Sequence, residues 1–268
     1  MTQQTPSAPR VLVTRPQREA VSWVQGLQAQ GVDAQALPLI DIAPARDALA
    51  LTQVWAHLSD HDAVMFVSAN AVRHFMAARP AGVPVPQVQA WGTGPGTEAA
   101  LCEAGWSAHL IRCPGDTAPQ FDSEALWALV QDEVRAWPNQ GTPHRVLIVR
   151  GADAQGRMAG RDWLARQMAA AGLQVGQCTA YVRQAPVWDA AQRKRARQAL
   201  AQGHWWLFSS SEAAVHLQQA LPDADLRPAR ALATHPRIAE RLQQMGWGRV
   251  VLVPATLLAQ ALSIKSLT

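Results

Sequence analysis

The sequence predicts two α/β domains of related design, each built on a parallel sheet covered on both faces, with a cleft between them. Three observations lead there. Short apolar runs alternate with stretches of helical periodicity along the whole chain. The stretch Val64-Met65-Phe66-Val67-Ser68-Ala69-Asn70-Ala71-Val72 returns as Trp205-Trp206-Leu207-Phe208-Ser209-Ser210-Ser211-Glu212-Ala213-Ala214, in each case an apolar strand breaking into small hydroxyl residues and then a helix. The elements on either side of that stretch also recur in the same order, as one internal duplication. A chain of 268 residues, 49% hydrophobic, is long enough for two cores.

In order, Met1 to Pro9 reads as a disordered arm. Val11-Leu12-Val13-Thr14 is a strand, and Arg15-Pro16 turns into a helix whose apolar stripe is Ala20, Val24 and Leu27. Pro16 suits the first turn of that helix and Gly31 its end. Ala36-Leu37-Pro38-Leu39-Ile40 is a second extended segment, and Pro44 to Asp60 holds a helix. After the strand at Phe66, Val88-Gln89-Ala90-Trp91 is another, ending in Gly92-Thr93-Gly94-Pro95-Gly96-Thr97 and a helix through Leu101. A short strand lies near Leu110. Asp122 and Ser123 then cap a helix with Leu126, Leu129 and Val130 toward the core.

The programme restarts at Arg145. Arg145-Val146-Leu147-Ile148-Val149-Arg150-Gly151 echoes Arg10-Val11-Leu12-Val13-Thr14-Arg15-Pro16, and a helix again runs to a glycine, Gly172. Cys178-Thr179-Ala180-Tyr181-Val182-Arg183 matches the segment around Leu39. Ala233-Thr234-His235-Pro236-Arg237-Ile238 matches the Gly92 turn, Gly246-Trp247 matches Gly105-Trp106, and Val250 to Val253 is the last strand.

The strand-to-helix turns are natural anion sites, because the first N–H groups of a helix lack intrahelical partners. The plain alternative at each is an ordinary helix cap. Of the 24 Lys and Arg side chains only Lys194 and Lys265 are lysine, and the arginine fork suits carboxylate or phosphate. The cluster Arg193-Lys194-Arg195 with Arg197 reads as a solvated helix face, not a nucleic-acid stripe. Gly92-x-Gly94 lacks the third glycine of a dinucleotide fingerprint, Thr97 standing there, and no P-loop is present. Ser68 and Ser210 lack a nucleophile elbow. Cys102, Cys113 and Cys178 are too scattered for a disulfide framework or zinc site and read as buried free thiols, while the eight histidines show no metal-ligand spacing. No apolar run reaches the roughly 18 residues of a membrane span, and Met1 to Arg10 lacks the apolar core of a signal peptide, so a cytoplasmic location is expected.

Leu12-Val13-Thr14-Arg15-Pro16, Phe66 to Val72, Gly92 to Thr97, Thr179 to Arg183, Phe208-Ser209-Ser210 and Ala233 to Ala239, in this order, resemble the uroporphyrinogen-III synthase family of tetrapyrrole biosynthesis. The resemblance spans about residues 10 to 255 and rests on the ordered set of motifs. It implies a hydro-lyase that takes linear hydroxymethylbilane, removes water, inverts the last pyrrole ring and closes the macrocycle, with no metal or cofactor. It also implies a discontinuous first domain (1–39 with 184–268), a second domain (42–180), and two extended linkers near Leu39 and Tyr181. A monomer is expected, with hand-off of substrate from the preceding bilane-forming enzyme.

Tyr181, the only tyrosine, matches the family's tyrosine and is the expected catalytic residue. The resemblance places Thr97 and its turn residue Gly94 at the substrate. Ser68, Ala69, Asn70, Ser210 and Ser211 are expected to meet substrate carboxylates through backbone and hydroxyl groups. Arg15 and Arg150 end corresponding strands and are further candidates. His235-Pro236-Arg237 departs from the family variant with threonines after Gly-Pro, which puts a hydroxyl role there in doubt and leaves Arg237 for carboxylate binding. Two other classes fit the α/β reading: a two-domain nucleotide-binding transferase, and a non-catalytic binding protein for a small polyanion.

Overall fold

The computed structural model describes residues 10–115, 121–138, 141–158 and 162–267. The arm expected at Met1 to Pro9 lies outside them. Two compact units divide the chain, Met1–Asp41 with Gln184–Thr268, and Ile42–Arg183.

Along the chain, β1 (Val11–Val13), α1 (Gln17–Ala29) and β2 (Ala34–Ala36) open the first unit. The second unit follows with β3 (Asp41–Pro44), α2 (Ala48–Ala56), β4 (Ala63–Phe66), α3 (Ala69–Ala77), β5 (Gln89–Gly92), α4 (Pro95–Glu103), β6 (Ile111–Arg112), α5 (Ser123–Arg135), β7 (Arg145–Ala152), α6 (Trp163–Ala170) and β8 (Gln174–Gln184). The chain then returns to the first unit with α7 (Ala190–Ala201), β9 (Trp205–Phe208), α8 (Ser211–Ala220), β10 (Arg230–Ala233), α9 (Pro236–Gln244), β11 (Arg249–Leu252) and α10 (Leu257–Lys265).

Helix starts are set by local chemistry. Asp47, Ser68 and Asp122 each accept the N–H three residues on, and Asp189 forms a reciprocal capping box with Gln192. Gly31 and Gly172 end α1 and α6 at φ 77° and 86°, a backbone region that glycine enters without strain. Pro16 stands at the N-cap of α1, just outside the helix.

The first unit's sheet runs β11-β10-β9-β1-β2, every pair parallel. The second runs β3-β8-β7-β4-β5-β6, and its pairs from β8 to β6 are parallel. Read from the other end, β6-β5-β4-β7-β8 repeats β11-β10-β9-β1-β2 strand for strand. The duplication is therefore shared out. The first repeat gives β1 and β2 to one unit and β4 to β6 to the other, and the second repeat supplies the complement of each. Aromatic packing repeats too: Phe66 meets Trp106 edge-on at 5.6 Å, and Phe208 meets Trp247 at 5.2 Å.

Alternate residues of β4 and β7 feed two cores. Val64, Phe66, Leu147 and Val149 pack with α2, α3 and α4, while Ala63, Met65, Val146 and Ile148 pack with α5 and α6. In the first unit Val11, Val13, Trp205 and Leu207 share a core with Ala20 and Leu27 of α1 and with Ala261 and Ile264 of α10.

Several details differ from the sequence expectation. Leu129 is 48% exposed, since Leu126, Val130 and Val134 already fill the buried stripe of α5. Cys102 is exposed and Cys113 half-buried, so only Cys178 is a buried thiol. The segment Ala36–Ile40 leaves the regular ladder after Ala36, because Pro38 has no N–H to donate, yet Leu37 and Leu39 still donate to Val13 and Thr14 carbonyls. Arg195 of the basic cluster turns inward to Gln35 Oε1 and the Ala36 carbonyl. The helix α10 is an addition to the sequence reading: fully buried Gln260 interrupts its apolar stripe, accepting from Trp23 Nε1 and donating to Pro254 O. No helix among the described residues is long and apolar enough to cross a membrane.

The histidines give stability a pH dependence. Burial, helped by neighbouring arginines, holds His61, His74 and His204 below the ordinary histidine value. Their contribution is full above the unfolded value of roughly 6.5 and is lost as pH falls through the lower folded values. His144 has the opposite sign. Its bond to Asp62, 2.9 Å long, raises it, so that contribution is full below the unfolded value and is lost as pH rises through the folded one. Replacing His144→Asn should therefore lower the urea midpoint more at about pH 5.5 than at about pH 8.5. Equal losses at the two pH values would remove the assignment.

Candidate active site

In parallel sheets the strand-to-helix turns gather at the carboxyl ends of the strands, where bound small molecules are found. In the second unit β4 ends at Phe66, Val67 follows, and Ser68 caps α3 by accepting the Ala71 N–H at 3.2 Å. Ala69 and Asn70 form the first turn of α3. Beside it, β5 ends at Gly92, and Gly94 caps α4 with an extended backbone. Gly94 is required there because a Cβ would lie 2.9 Å from Phe121 Cβ. Thr97 is buried, with Cγ2 3.1 Å from where a Gly92 Cβ would be, so its methyl packs under the turn.

Tyr181 reaches this turn through a β-bulge. Arg150 pairs with Thr179 but Gly151 pairs with Tyr181, which leaves Ala180 as an extra residue on β8. The bulge lays the Tyr181 ring across Gly151, where a Cβ would meet ring atoms Cζ at 2.5 Å and Cε2 at 2.6 Å. The ring is 3% exposed, stacks on His74 at 5.8 Å, and its hydroxyl lies 3.1 Å from Ser68 Oγ. A cavity of about 320 Å³ opens there, lined by Ser68, Thr93, Phe121, Arg150, Tyr181 and Arg183 among others. Gly151→Ala should push the ring out of this place, since an aromatic ring has no rotamer freedom at its far end to give way. Loss of activity comparable to that of a Tyr181→Phe protein is expected, and unaltered turnover would show that the ring's position is unimportant.

Sequence reasoning did not single out Thr93, Phe121, Gly151 or Arg183 as site residues. Arg183 carried a usable signal, standing two residues after Tyr181 on the same strand face. Phe121 carried none. Arg150 ends inside the protein: it is buried, and its Nη1 donates to Gln177 Oε1 at 2.8 Å and to Asp162 Oδ1 at 3.1 Å. Burial pushes the Cys178 thiol up to about 12, so no thiolate forms there at neutral pH. Among the described residues no three His, Cys, Asp or Glu side chains come together as a metal site.

In the first unit Arg15 follows β1, and its guanidinium lies over the Trp23 ring at 3.9 Å. Burial lowers it to about 10, with nearby Glu19 opposing, and it remains a cation at neutral pH. Ser210 caps α8 by accepting from Glu212 N, with Ser211 the first helical residue. His235 caps α9 through Nδ1, which accepts the Arg237 N–H at 3.1 Å. The Arg237 side chain is exposed.

Ser68, Arg150 and Tyr181 thus share one cavity of the second unit, with Gly94 set against its wall at Phe121. Arg15, Ser210, Ser211, His235 and Arg237 stand at the strand ends of the first unit. Two duplicated parallel sheets with capped, polar turns at their carboxyl ends define a two-domain α/β protein of the small-molecule-binding kind.

The model of the family described as uroporphyrinogen-III synthase HemD matches residues 21–261, and the chain belongs to that family. Two solved structures share the fold. The uroporphyrinogen-III synthetase of Helicobacter pylori is 14% identical with a TM-score of 0.63, over 97% of this chain and all of that one. A mutant uroporphyrinogen III synthase of the extremely thermophilic bacterium Thermus thermophilus is 18% identical with a TM-score of 0.55, over 97% of this chain and 98% of that one. The reaction is the hydro-lyase cyclisation of hydroxymethylbilane to uroporphyrinogen III in tetrapyrrole biosynthesis.

Proposed function

We propose that the strand-end turns of the units hold the substrate and that Tyr181 protonates the departing hydroxyl. The observation that carries this is the Tyr181 hydroxyl, 3.1 Å from the Ser68 cap, on a cavity of the second unit that Arg183 also lines. Hydroxymethylbilane bears eight carboxylates. Backbone N–H groups at the starts of α3, α4, α8 and α9 offer donors for them, aided by Ala69, Asn70, Gly94, Ser210 and Ser211, while the Ser68 hydroxyl is turned to Tyr181. Arg15 and Arg237 add charge from the first unit, and Arg183 from the second. Arg150, being buried, shapes the cavity wall, Thr97 supports the Gly92 turn from beneath, and His235 contributes through its cap.

Loss of the hydroxyl leaves a resonance-stabilised cation, which closes unaided to the symmetric isomer. The protein's larger task is orientation, holding the last ring so that its substituted carbon is the one that attacks the cation. The protein acts as a cytoplasmic monomer that receives its substrate from the bilane-forming enzyme. Two chain crossings between the units, at Asp41–Ile42 and Arg183–Gln184, suit relative motion that admits a flexible tetrapyrrole. Incubation with freshly made hydroxymethylbilane, followed by separation of the product isomers, tests the reading. The rearranged isomer is expected at a rate above the spontaneous one, unaffected by chelator. Symmetric product alone, or activity abolished by chelator, would sink it.

A further inference from the structure

We infer that Ser68 is a positioning residue that acts through Tyr181, accepting from the helix on one side so that its own hydroxyl proton serves the phenol oxygen on the other. This rests on the reading of Tyr181 as proton donor. Ser68 Oγ is fixed by the Ala71 N–H at 3.2 Å, and Tyr181 Oη lies 3.1 Å away. Before reaction either hydroxyl can donate across that pair. Once Tyr181 hands its proton to the leaving oxygen, its own oxygen carries negative charge and can only accept. With a lone pair of Ser68 already committed to Ala71, the Ser68 O–H remains as the donor that turns toward the phenolate.

Proton and electrons balance. The carbon–oxygen bond of the hydroxymethyl group breaks with its electron pair going to oxygen, and the Tyr181 proton completes a water molecule. The substituted carbon of the last ring then bonds to the cationic methylene, and the bond from that carbon to its own bridging methylene breaks to leave a second stabilised cation. The ring's unsubstituted carbon bonds to that bridge and sheds its hydrogen as the proton that restores the phenol. Ser68 gives up no proton in the cycle. It supplies a hydrogen bond that strengthens as charge develops, which is the condition for lowering a barrier. Gly151 and the Ala180 bulge hold the ring against the strand, and His74 covers its face, so the Tyr181 oxygen is presented to Ser68 at fixed distance.

The experiment compares single and double variants of the full-length protein on hydroxymethylbilane. Ser68→Ala should lower kcat by about 5- to 50-fold with KM little changed. Ser68→Thr, which keeps both the cap and the hydroxyl, should recover most of it. Because Ser68 acts through the phenol, the Ser68→Ala/Tyr181→Phe protein should be no slower than Tyr181→Phe alone. The cap itself is controlled by Asp47→Ala, which removes the N-cap of α2 in the same unit and should reduce stability without changing kcat. Wild-type kcat in Ser68→Ala beside a slowed Tyr181→Phe would overturn this inference and leave the donor reading intact, as would multiplying losses in the double variant. A Tyr181→Phe protein at wild-type kcat would instead overturn the donor reading, and the inference with it.

Discussion

Tyr181→Phe is expected to lower kcat by about 10- to 1000-fold, the upper end approaching the loss of an oxyanion donor, with KM little changed. The hydroxyl is the sole part removed. The ring stays 3% exposed over Gly151 and against His74, so the walls of the cavity keep their shape. Loss of the bond to Ser68 should reduce stability by only about 0.5–1.5 kcal/mol. The product should remain the rearranged isomer if, as proposed, the strand-end turns orient the last ring after the cation forms. Ionisation of the substrate is intrinsically easy, which is why the range extends as low as tenfold. A protein with unaltered kcat and a lowered unfolding midpoint would make Tyr181 a packing residue, while the family membership would stand on its other grounds.

The parts of this site that can be read from the sequence are those whose physics is local. Ser68 and Ser210 are recognisable because a cap acts within three residues, and the alternation of strand and helix follows from apolar runs of fixed period. Contacts made across strands are different. Nothing near Arg150 in the chain announces that Asp162 and Gln177 hold its guanidinium, and so a strand-end arginine looks like a ligand for an external anion until its partners are seen. The need for glycine at position 151 arises only from the register with β8, shifted by the bulge at Ala180. The duplication is visible as motifs in order, but an ordered pair of repeats does not by itself say which strands share a sheet. That depends on pairing such as Val13 with Leu207 and Phe66 with Val149, between residues far apart in the chain. The helix α10 escaped the pattern because its most buried side chain is a glutamine satisfied by Trp23 and the Pro254 carbonyl.

Gly248→Ala is expected to be the most destabilising single-atom change in the first unit, at about 3–5 kcal/mol, through overpacking against an immovable neighbour. A Cβ there would fall 1.7 Å from the Arg227 carbonyl oxygen and 2.8 Å from its carbon. Both are backbone atoms, so no rotamer change relieves the clash. The segment Leu226–Ala229 and the start of β11 must separate, which breaks the Gly248 N–H bond to Leu226 O and the Arg249 N–H bond to Ala229 O. That separation occurs where β10 and β11 begin to pair, Arg230 opposite Arg249. It lies at the amino ends of those strands, away from the carboxyl ends that carry Ser210, His235 and Arg237, so turnover per folded molecule at low temperature should be that of the wild type. Gly26→Ala is the matched contrast. Its Cβ would meet the Leu257 side chain, Cδ1 at 2.3 Å, Cδ2 at 3.1 Å and Cγ at 3.2 Å, none of them backbone, and that side chain can rotate away. The alanine also gains about 0.8–1 kcal/mol in helix propensity over glycine within α1, so the net change should stay within about 1 kcal/mol. Unfolding midpoints of the two variants measured side by side decide the matter: a Gly248→Ala protein as stable as Gly26→Ala would mean that the backbone at Arg227 yields more readily than its two hydrogen-bonded neighbours imply.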